Sequence, residues 1–277
     1  MSQYKIHFKD KIYLVQANNP HEAVNTLACA LYDERFPLVY YKILKNLGYT
    51  HDDWINWSLS TAKRVIENKT PKNNSAERNN SHKSKSIEQK PVNHIYKYTV
   101  NGNIIYMYEP KPKAFKDTFE KAKSSVDKTA RWRVSSEYDE QQYSDMKRYS
   151  TKGGSCVAIH DGDIVSVCKN DTDTKVKGKD LLSIAVKNGG NKLDAFGGLF
   201  GFYIKCGFTP VSWTKFDETY APDGWDKTRD KPEPVVFFRL QRAGDKVYKD
   251  LDEFIKSVSA EKDYDTAKAK RDKDLEK

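Results

Sequence analysis

Apolar and polar residues alternate along two short runs at the start of the chain, YKIHF at 4–8 and KIYLVQA at 11–17. Alternation with a period of two is typical of strands that bury one face, so the two runs are predicted to form a β-hairpin. Asn19-Pro20-His21-Glu22 then provides an N-cap side chain, a proline at the first helical position and a glutamate three residues after the cap. This signature predicts the start of a helix that buries Ala23, Val24, Leu27, Ala28 and Leu31.

Helical spacing returns between about residues 52 and 67, at Trp54, Ile55, Leu59, Ala62, Val65 and Ile66. We expect a second helix there, so that residues 1–67 form a small N-terminal α/β module with a ββα core. From Asn68 to Asn93 the pattern disappears, with one isoleucine, no Phe, Tyr or Trp, and six Lys or Arg against two Glu. Such a segment cannot bury enough apolar area to offset chain entropy, so 68–93 is predicted to be a disordered basic linker.

A second hairpin is predicted where alternating runs at 94–100 and 103–109 flank Asn101-Gly102. Asn-Gly is a strong turn signal because both central residues of a type I′ turn adopt positive φ. After the prolines at 110 and 112, apolar residues at helical spacing predict a helix that buries Phe115, Phe119, Ala122 and Val126.

Residues 153–216 carry the most regular pattern of the chain. Strands at 155–160 and 163–168 are predicted to form a hairpin through Asp161-Gly162. A polar loop leads to Gly178 and a short helix that ends at Asn188-Gly189-Gly190, residues that tolerate left-handed φ. The inward residues of that helix are predicted to be Leu181, Leu182, Ala185 and Val186. KLDAF at 192–196 is predicted to be a strand, GGLFGFYIKC a helix and FTPVSWTKF another strand.

This order, together with Tyr203-Ile204-Lys205-Cys206-Gly207-Phe208, resembles the Gcn5-related N-acetyltransferase superfamily and its Tyr-x-x-x-Gly-Phe signature. The family's glycine-loop motif, Gln/Arg-x-x-Gly-x-Gly/Ala followed two residues on by two leucines, aligns with residues 173–182. Gly178 and the leucine pair match, whereas Asp173 and Val176 replace the basic or amide residue and the first glycine. The stretches at 210–225 and 234–240 look like the last strands of acetyltransferase-like proteins of phages and mobile elements.

The resemblance implies a mixed, mostly antiparallel sheet flanked by helices over 94–258, and transfer of an acetyl group from acetyl-CoA to an amine of a protein or small molecule. The backbone of Ile164, Val165, Ser166 and Val167 would then contact the pantetheine arm of the coenzyme. The residues expected at its diphosphate are Lys175, Lys177, Gly178 and Lys179. A helix N-terminus with unpaired N–H groups suits a diphosphate, and the lysines add positive charge. A merely solvated lysine-rich loop is the alternative interpretation.

In the family the tyrosine that matches Tyr203 donates a proton to the departing coenzyme thiolate, a general-acid role. The alternative is that Tyr203 is an aromatic core residue beside Phe200 and Phe208. The candidates for a general base are Asp163, Asp194 and Glu218, each of which could also be an ordinary surface carboxylate. Ser155, Ser166 and His160 do not lead us to expect a hydrolase, because His160 lies beside a hairpin turn with no oxyanion-hole signature nearby.

Composition and charge indicate the cellular compartment and the classes of partner that this chain could have. The net charge is +9, and the lysine-rich linker makes contact with nucleic acid a hypothesis, although the linker has no aromatic residue for base stacking. No run of the chain is apolar enough for a membrane span, and MSQYKIHFKDK lacks the apolar core of a signal peptide, so we expect a cytoplasmic protein. The cysteines lack metal-ligand spacing and are expected to be reduced, mostly buried thiols; they are Cys29, Cys156, Cys168 and Cys206.

The C-terminal region is predicted to contain one more helix and then a charged tail at 259–277. The helix would present Val247, Leu251, Phe254, Ile255 and Val258 on one face. The tail has balanced charge and few apolar residues, so we expect it to fray. Two functions remain open at this point: an N-acetyltransferase, favoured by the intact Tyr-Gly-Phe signature, and a catalytically silent binding module of the same fold, favoured by the altered glycine loop.

The linker yields a direct prediction. Because 68–93 has little to bury, brief trypsin treatment should cut there first and leave a resistant fragment that begins near Pro91. Mass spectrometry of the early fragments measures this. Uniform protection of Lys69 to Lys90 would show a packed segment and overturn the linker interpretation.

Overall fold

The computed structural model of this chain describes residues 1–8, 11–19, 22–23, 26–27, 30, 63–65, 92–134 and 138–277. The chain divides into two compact units, Met1–Lys97 and Tyr98–Lys277. Residues 68–91 of the predicted linker, the turn at 9–10 and most of the predicted helix at 52–67 lie outside the described residues. The second unit therefore contains every residue on which a coenzyme site was predicted.

The first unit is built on the predicted hairpin. Strands β1 (Ser2–Phe8) and β2 (Lys11–Ala17) pair antiparallel, and β2 pairs in parallel with the start of β4 (Val92–Val100). The N-cap prediction at Asn19 is confirmed, since its Oδ1 accepts a hydrogen bond of 2.9 Å from the backbone N–H of Glu22. Strand β4 begins at Val92, so the last two residues of the predicted linker, Val92 and Asn93, belong to this strand.

The prediction of a helix over 52–67 is wrong at its C-terminal end. Residues Lys63–Val65 form strand β3, which pairs antiparallel with β1. The physical reason is that the free edge of β1 offers backbone hydrogen bonds to any short segment beside it. Apolar spacing over so few residues does not distinguish an edge strand from the last turn of a helix.

The second unit is a mixed sheet flanked by helices, which confirms the predicted fold class. Its remaining strands are β5 (Asn103–Glu109), β6 (Lys147–Ser150), β7 (Cys156–His160), β8 (Asp163–Cys168), β9 (Lys192–Phe196), β10 (Phe208–Thr214) and β11 (Val235–Leu240). Its helices are α1 (Pro112–Ser125), α2 (Glu140–Ser144), α3 (Gly178–Lys187), α4 (Phe200–Lys205), α5 (Leu251–Ser257) and α6 (Tyr264–Leu275). No helix in the described part of the chain is long and apolar enough to cross a membrane.

The strand order in this unit is β5-β6-β7-β8-β9-β11-β10. The pairs from β5 to β8 and from β9 to β10 are antiparallel, and only β8 and β9 run parallel. Both predicted two-residue turns are confirmed by their backbone, with φ of 49° at Asn101 and 80° at Gly102, and 47° at Asp161 and 83° at Gly162. Tight turns thus connect β4 to β5 and β7 to β8, whereas helix α3 lies in the connection between the parallel strands β8 and β9.

Helix α1 covers one part of this sheet as the apolar spacing predicted. Its Phe115, Phe119 and Ala122 are buried against Tyr143 of α2 and against the inward side chains of β7 and β8. Val126 lies just past the helix end and is only partly buried. In α3 the buried residues include Leu181, Leu182 and Ala185, but Ile184 takes the inward position predicted for Val186.

The expectation that the C-terminal tail frays is wrong. Helix α6 begins at the N-cap Asp263, whose Oδ1 accepts the N–H of Thr266 at 2.8 Å, and it packs on β10 and β11. Arg271 of this helix is 0% exposed and pairs with Asp163 of β8 at 2.8 Å and with Asp272 at 2.9 Å. Buried ion pairs therefore hold this helix against the sheet, whereas most helices are held by an apolar stripe.

The buried Arg271 generates a stability prediction. Arg271→Ala leaves Asp163 without its closest cation in a largely dry site, so the unit should lose about 3 to 5 kcal/mol of unfolding free energy. Urea denaturation followed by tryptophan fluorescence measures this loss. Lys273→Ala, on the exposed side of the same helix, is the control and should change the free energy of unfolding by less than about 0.5 kcal/mol. Equal effects of the two variants would show that the ion pairs do not hold α6.

Candidate functional site

Strands β8 and β9 separate almost as soon as they meet. Their ladder consists of a single pair, Asp163 with Lys192, beside which the N–H groups of Asn191 and Lys192 donate to the carbonyl of Gly162. Beyond that pair β9 follows β11, while β8 follows β7. Among the residues that the structure describes, no strand therefore pairs with the backbone of β8 from Ile164 onward on the β9 side. Such an unpaired strand edge can hydrogen-bond an extended ligand that carries amide groups.

The backbone of β8 changes course at Ser166. This residue has φ of 51°, and the register between β7 and β8 shifts by one residue between Cys156 and Ala158. The Ser166 hydroxyl lies 2.9 Å from the hydroxyl of Tyr143, and both side chains are buried. A bulge of this kind re-aims backbone groups, and here it lies within the edge that faces the gap.

Helix α3 begins at the carboxyl side of β8. The backbone N–H groups of Gly178 and Lys179, its first two residues, reach no acceptor within the described residues. The N–H of Lys177 is satisfied by the Asp180 carboxylate at 3.0 Å, and the same carboxylate accepts a bond of 2.8 Å from Asn101. Asp180 is buried, so it fixes the first turn, while the N–H groups of the two residues before it stay available to an anion.

The loop before α3 explains the altered glycine motif. Asp173 is buried and accepts a hydrogen bond of 2.6 Å from the hydroxyl of Thr151, and Val176 is a core residue. A Cβ at Gly153 would come within 2.4 Å of the Asp173 side chain, so the loop is packed closely against that glycine. Buried side chains thus anchor this loop. Lys175, Lys177 and Lys179 are exposed on it.

Helix α4 lies beside the start of α3. The ring of Phe202 lies 3.2 Å from the position that a Cβ would take at Gly178. The turn that leads into α4 is held by Glu233, whose carboxylate accepts the N–H of Gly198 at 2.8 Å and forms an ion pair with Arg133. The two helices that follow the parallel strands thus begin next to each other, which is where α/β proteins commonly bind ligands.

Tyr203 lies on the inward side of α4. Its ring packs at 5.5 Å from Phe238 and at 6.2 Å from Phe208, and the residue is 8% exposed. Burial raises the pKa of its hydroxyl, and the charge of Asp194 raises it further. Because this pKa is raised, the hydroxyl keeps its proton at neutral pH, and it donates that proton to no group within the described residues.

The three carboxylates named as base candidates have different surroundings. Asp163 is engaged by Arg271 and by Lys192, and Glu218 forms an exposed ion pair of 2.7 Å with Lys227. Asp194 lies in the middle of β9 and accepts a hydrogen bond of 3.0 Å from the Tyr264 hydroxyl, and desolvation raises the pKa of its carboxyl. Within the described residues Asp194 forms no ion pair. Only Asp194 among the three also contributes to the raised pKa of Tyr203.

The residues considered for a hydrolase have other partners. The Ser155 hydroxyl accepts the N–H of Asn170 at 3.1 Å, and His160 lies 3.7 Å from Asp161 in its own hairpin. Cys156 and Cys168 are buried free thiols, and burial raises the pKa of both. Cys206 is half-buried, and Cys29 lies outside the described residues.

Sequence reasoning missed three residues of this region. Asp180 could have been found as an acidic residue in the first turn of a predicted helix. Glu233 and Tyr264 carry no local signal, because each acts on a residue far away in the chain, Gly198 and Asp194 respectively.

No family model, no curated protein and no solved structure matches this chain.

Proposed function

We propose that the second unit is an acyl-CoA-dependent N-acetyltransferase related to the Gcn5-related superfamily. The observation that carries the proposal is the gap between the parallel strands β8 and β9, at which α3 and α4 both begin. The gap leaves a free backbone edge on β8 and an open N-terminus at α3, and the start of α3 contacts α4, the helix that carries Tyr203. Acetyl-CoA requires these three features, since it combines an amide-bearing arm, a diphosphate and a thioester.

The coenzyme would be held mainly by backbone groups. The unpaired edge of β8 from Ile164 to Val167 suits the two amides of pantetheine, and the N–H groups of Gly178 and Lys179 suit the diphosphate. Lys177 and Lys179 form no ion pair within the described residues, so their charges are available to a phosphate. The side chains of Ile164 and Ser166 are buried, and so they contribute to this site only through their main chain.

The reaction would proceed by direct attack. The nitrogen of the neutral amine bonds to the thioester carbon, and the carbon–sulfur bond then breaks to leave the coenzyme thiolate. Tyr203 gives its proton to that sulfur, while Asp194 takes the proton that the amine loses. Burial raises the pKa of Tyr203, so the hydroxyl carries its proton throughout the neutral pH range but is also a weaker acid than a free tyrosine.

A silent binding module of the same fold is the second candidate. It is favoured by the loop before α3, where the Asp173 carboxylate and the apolar Val176 occupy positions that contact coenzyme in the family. Asp173 is turned inward to Thr151, so this position offers no donor to a phosphate.

Binding of acetyl-CoA separates the two candidates. Calorimetry on the full chain should detect binding that weakens with added salt, and Lys177→Ala with Lys179→Ala should weaken it by tenfold or more. The matched control is Lys113→Ala with Lys121→Ala, which removes the same charge from the exposed face of α1. No heat at millimolar coenzyme would favour the silent module, and equal losses in both double variants would mean that the effect is one of net charge alone.

The role of Tyr203 has its own test. Tyr203→Phe keeps the ring in its contacts with Phe208 and Phe238 and removes only the hydroxyl, so the melting temperature should barely change. If the hydroxyl protonates the thiolate, turnover should fall about 10²-fold or more while the Michaelis constant for coenzyme stays nearly constant. Tyr220→Phe, at an exposed position, is the control and should be fully active. A Tyr203→Phe enzyme with full turnover would contradict the acid role.

A further inference from the structure

We propose that Tyr143 of helix α2 is a positioning residue for the free edge of β8. Its hydroxyl bond to Ser166 holds that residue in the left-handed conformation and so fixes the form in which the edge binds an amide-bearing ligand. The use of this edge by acetyl-CoA rests on the proposed function. The control of the edge by α2 does not depend on it, because the argument uses only contacts within the second unit.

The conformation of Ser166 is unusual for its residue type. A φ of 51° is disfavoured for a residue that has a Cβ. The other non-glycine residues with positive φ in the described part of the chain are Asn101 and Asp161, which lie in tight turns and belong to types that tolerate this region. Ser166 lies inside a strand between two valines, and valine favours extended backbone. Such a conformation persists where the surrounding structure imposes it.

The bulge at Ser166 changes which side chains of β8 face helices α1 and α2. Val165 and Cys168 both pack in the core cluster that contains Tyr143, although residues three apart in a regular strand lie on opposite faces. The register with β7 shifts by one residue between these two positions, which accounts for the change of face. The Ser166 side chain faces the same cluster, since its hydroxyl lies 2.9 Å from that of Tyr143. The bulge is therefore coupled to the packing of α1 and α2.

Helix α2 holds Tyr143 in a fixed position. Its side chain is 0% exposed, and its ring packs at 4.9 Å from the ring of Phe115. The helix begins with a capping box formed by Asp139 and Gln142. At the other end the guanidinium of the buried Arg148 donates hydrogen bonds to carbonyls of the last turn, including that of Tyr143. The Tyr143 hydroxyl is thus held from both ends of its helix.

Both hydroxyl groups of the Tyr143–Ser166 pair are buried. Burial raises the pKa of Tyr143, and hydrogen bonds with Ser166 and the backbone of Tyr138 lower it only in part, so the hydroxyl keeps its proton at neutral pH. A buried hydroxyl that loses its partner is destabilising. Relaxation of Ser166 to extended backbone would separate the two oxygens, so the bond opposes that relaxation. Glycine adopts positive φ without such help, and this difference provides the test.

The bulge also decides what the edge offers to a ligand. Successive residues of a strand direct their backbone N–H and C=O groups to opposite sides, and an extra residue shifts this alternation by one. The groups that β8 presents to the gap beyond Ser166 therefore depend on the bulge. Without it, an extended ligand bound at Ile164 would meet displaced donors and acceptors further along the edge.

The test compares four variants of the full chain by calorimetry with acetyl-CoA. Ser166→Ala and Ser166→Gly both remove the hydroxyl, but only glycine adopts a φ of 51° without strain. Affinity should fall about tenfold in Ser166→Ala and stay near the wild-type value in Ser166→Gly. Tyr143→Phe should also weaken binding, and it should have no further effect when combined with Ser166→Gly. The control is Tyr149→Phe, which removes a hydrogen bond of 3.1 Å from β6 to Asn188 and should bind normally.

NMR of the chain without coenzyme provides a second measurement. The backbone amide signals of residues 165–168 should shift or split in Ser166→Ala and in Tyr143→Phe. In the Ser166→Gly background, Tyr143→Phe should leave those signals unchanged. The comparison of alanine with glycine at position 166 keeps Tyr143 in place, so it decides the question even where circular dichroism shows that Tyr143→Phe does not fold.

Two results would overturn the inference: equal affinities and equal amide signals in Ser166→Ala and Ser166→Gly, or an effect of Tyr143→Phe that is as large with glycine at position 166 as with serine. Failure of the proposed function looks different. A chain that shows the coupling by NMR but binds no acetyl-CoA keeps the positioning role and loses the acetyltransferase proposal. A chain that binds acetyl-CoA equally well in wild type, Ser166→Ala and Tyr143→Phe keeps the coenzyme site and loses the positioning role.

Discussion

The parallel strands β8 and β9 share one residue pair, and the arrangement of the second unit follows from that constraint. A parallel pair needs a crossover connection, which here is the loop and helix α3, and the crossover brings the start of α3 to the carboxyl side of β8. Strand β9 takes its hydrogen bonds from β11 instead, so the edge of β8 stays free. The free edge of β8 and the unpaired N–H groups at the start of α3 therefore both result from the way in which β8, α3 and β9 are connected.

Helices α1 and α6 are held against this sheet by different interactions. Helix α1 is amphipathic and stays in place through Phe115 and Phe119, which lose their contact with water. Helix α6 has little apolar surface, and it depends on Arg271 with Asp163, and on Asp274 with Arg239 at 2.6 Å. Its last carbonyls accept hydrogen bonds from Arg242, which satisfies groups that a helix end leaves unpaired. Ion pairs of this kind are specific in geometry, and they fix the position of Tyr264 beside Asp194.

Side-chain contacts, and not a run of glycines, hold the loop before α3 in place. A glycine-rich loop lets backbone approach a phosphate closely, whereas this loop is tied down by the bond from Thr151 to Asp173 and by burial of Val176. The first turn of α3 is then held by Asp180, which binds both Lys177 and Asn101. Because Asp180 accepts the N–H of Lys177, that group is not available to a ligand. The proposed coenzyme site accordingly relies on the N–H groups of Gly178 and Lys179 and on lysine charge.

Local interactions are what the sequence by itself determined in this protein. The type I′ turns at Asn101-Gly102 and Asp161-Gly162, the Asn19 cap, the strands β5 and β7 to β11 and the buried face of α1 each depend on residues that are neighbours in the chain. Tertiary structure decided the rest. The edge strand β3 exists because β1 leaves hydrogen bonds open, and α6 is ordered because Arg271 meets Asp163, 108 residues away. Asp194 and Tyr264 are brought together in the same manner, and no pattern of spacing contains that pairing. A charged segment is read as solvated from its composition, since the partner that neutralises it is known only when the chain has folded.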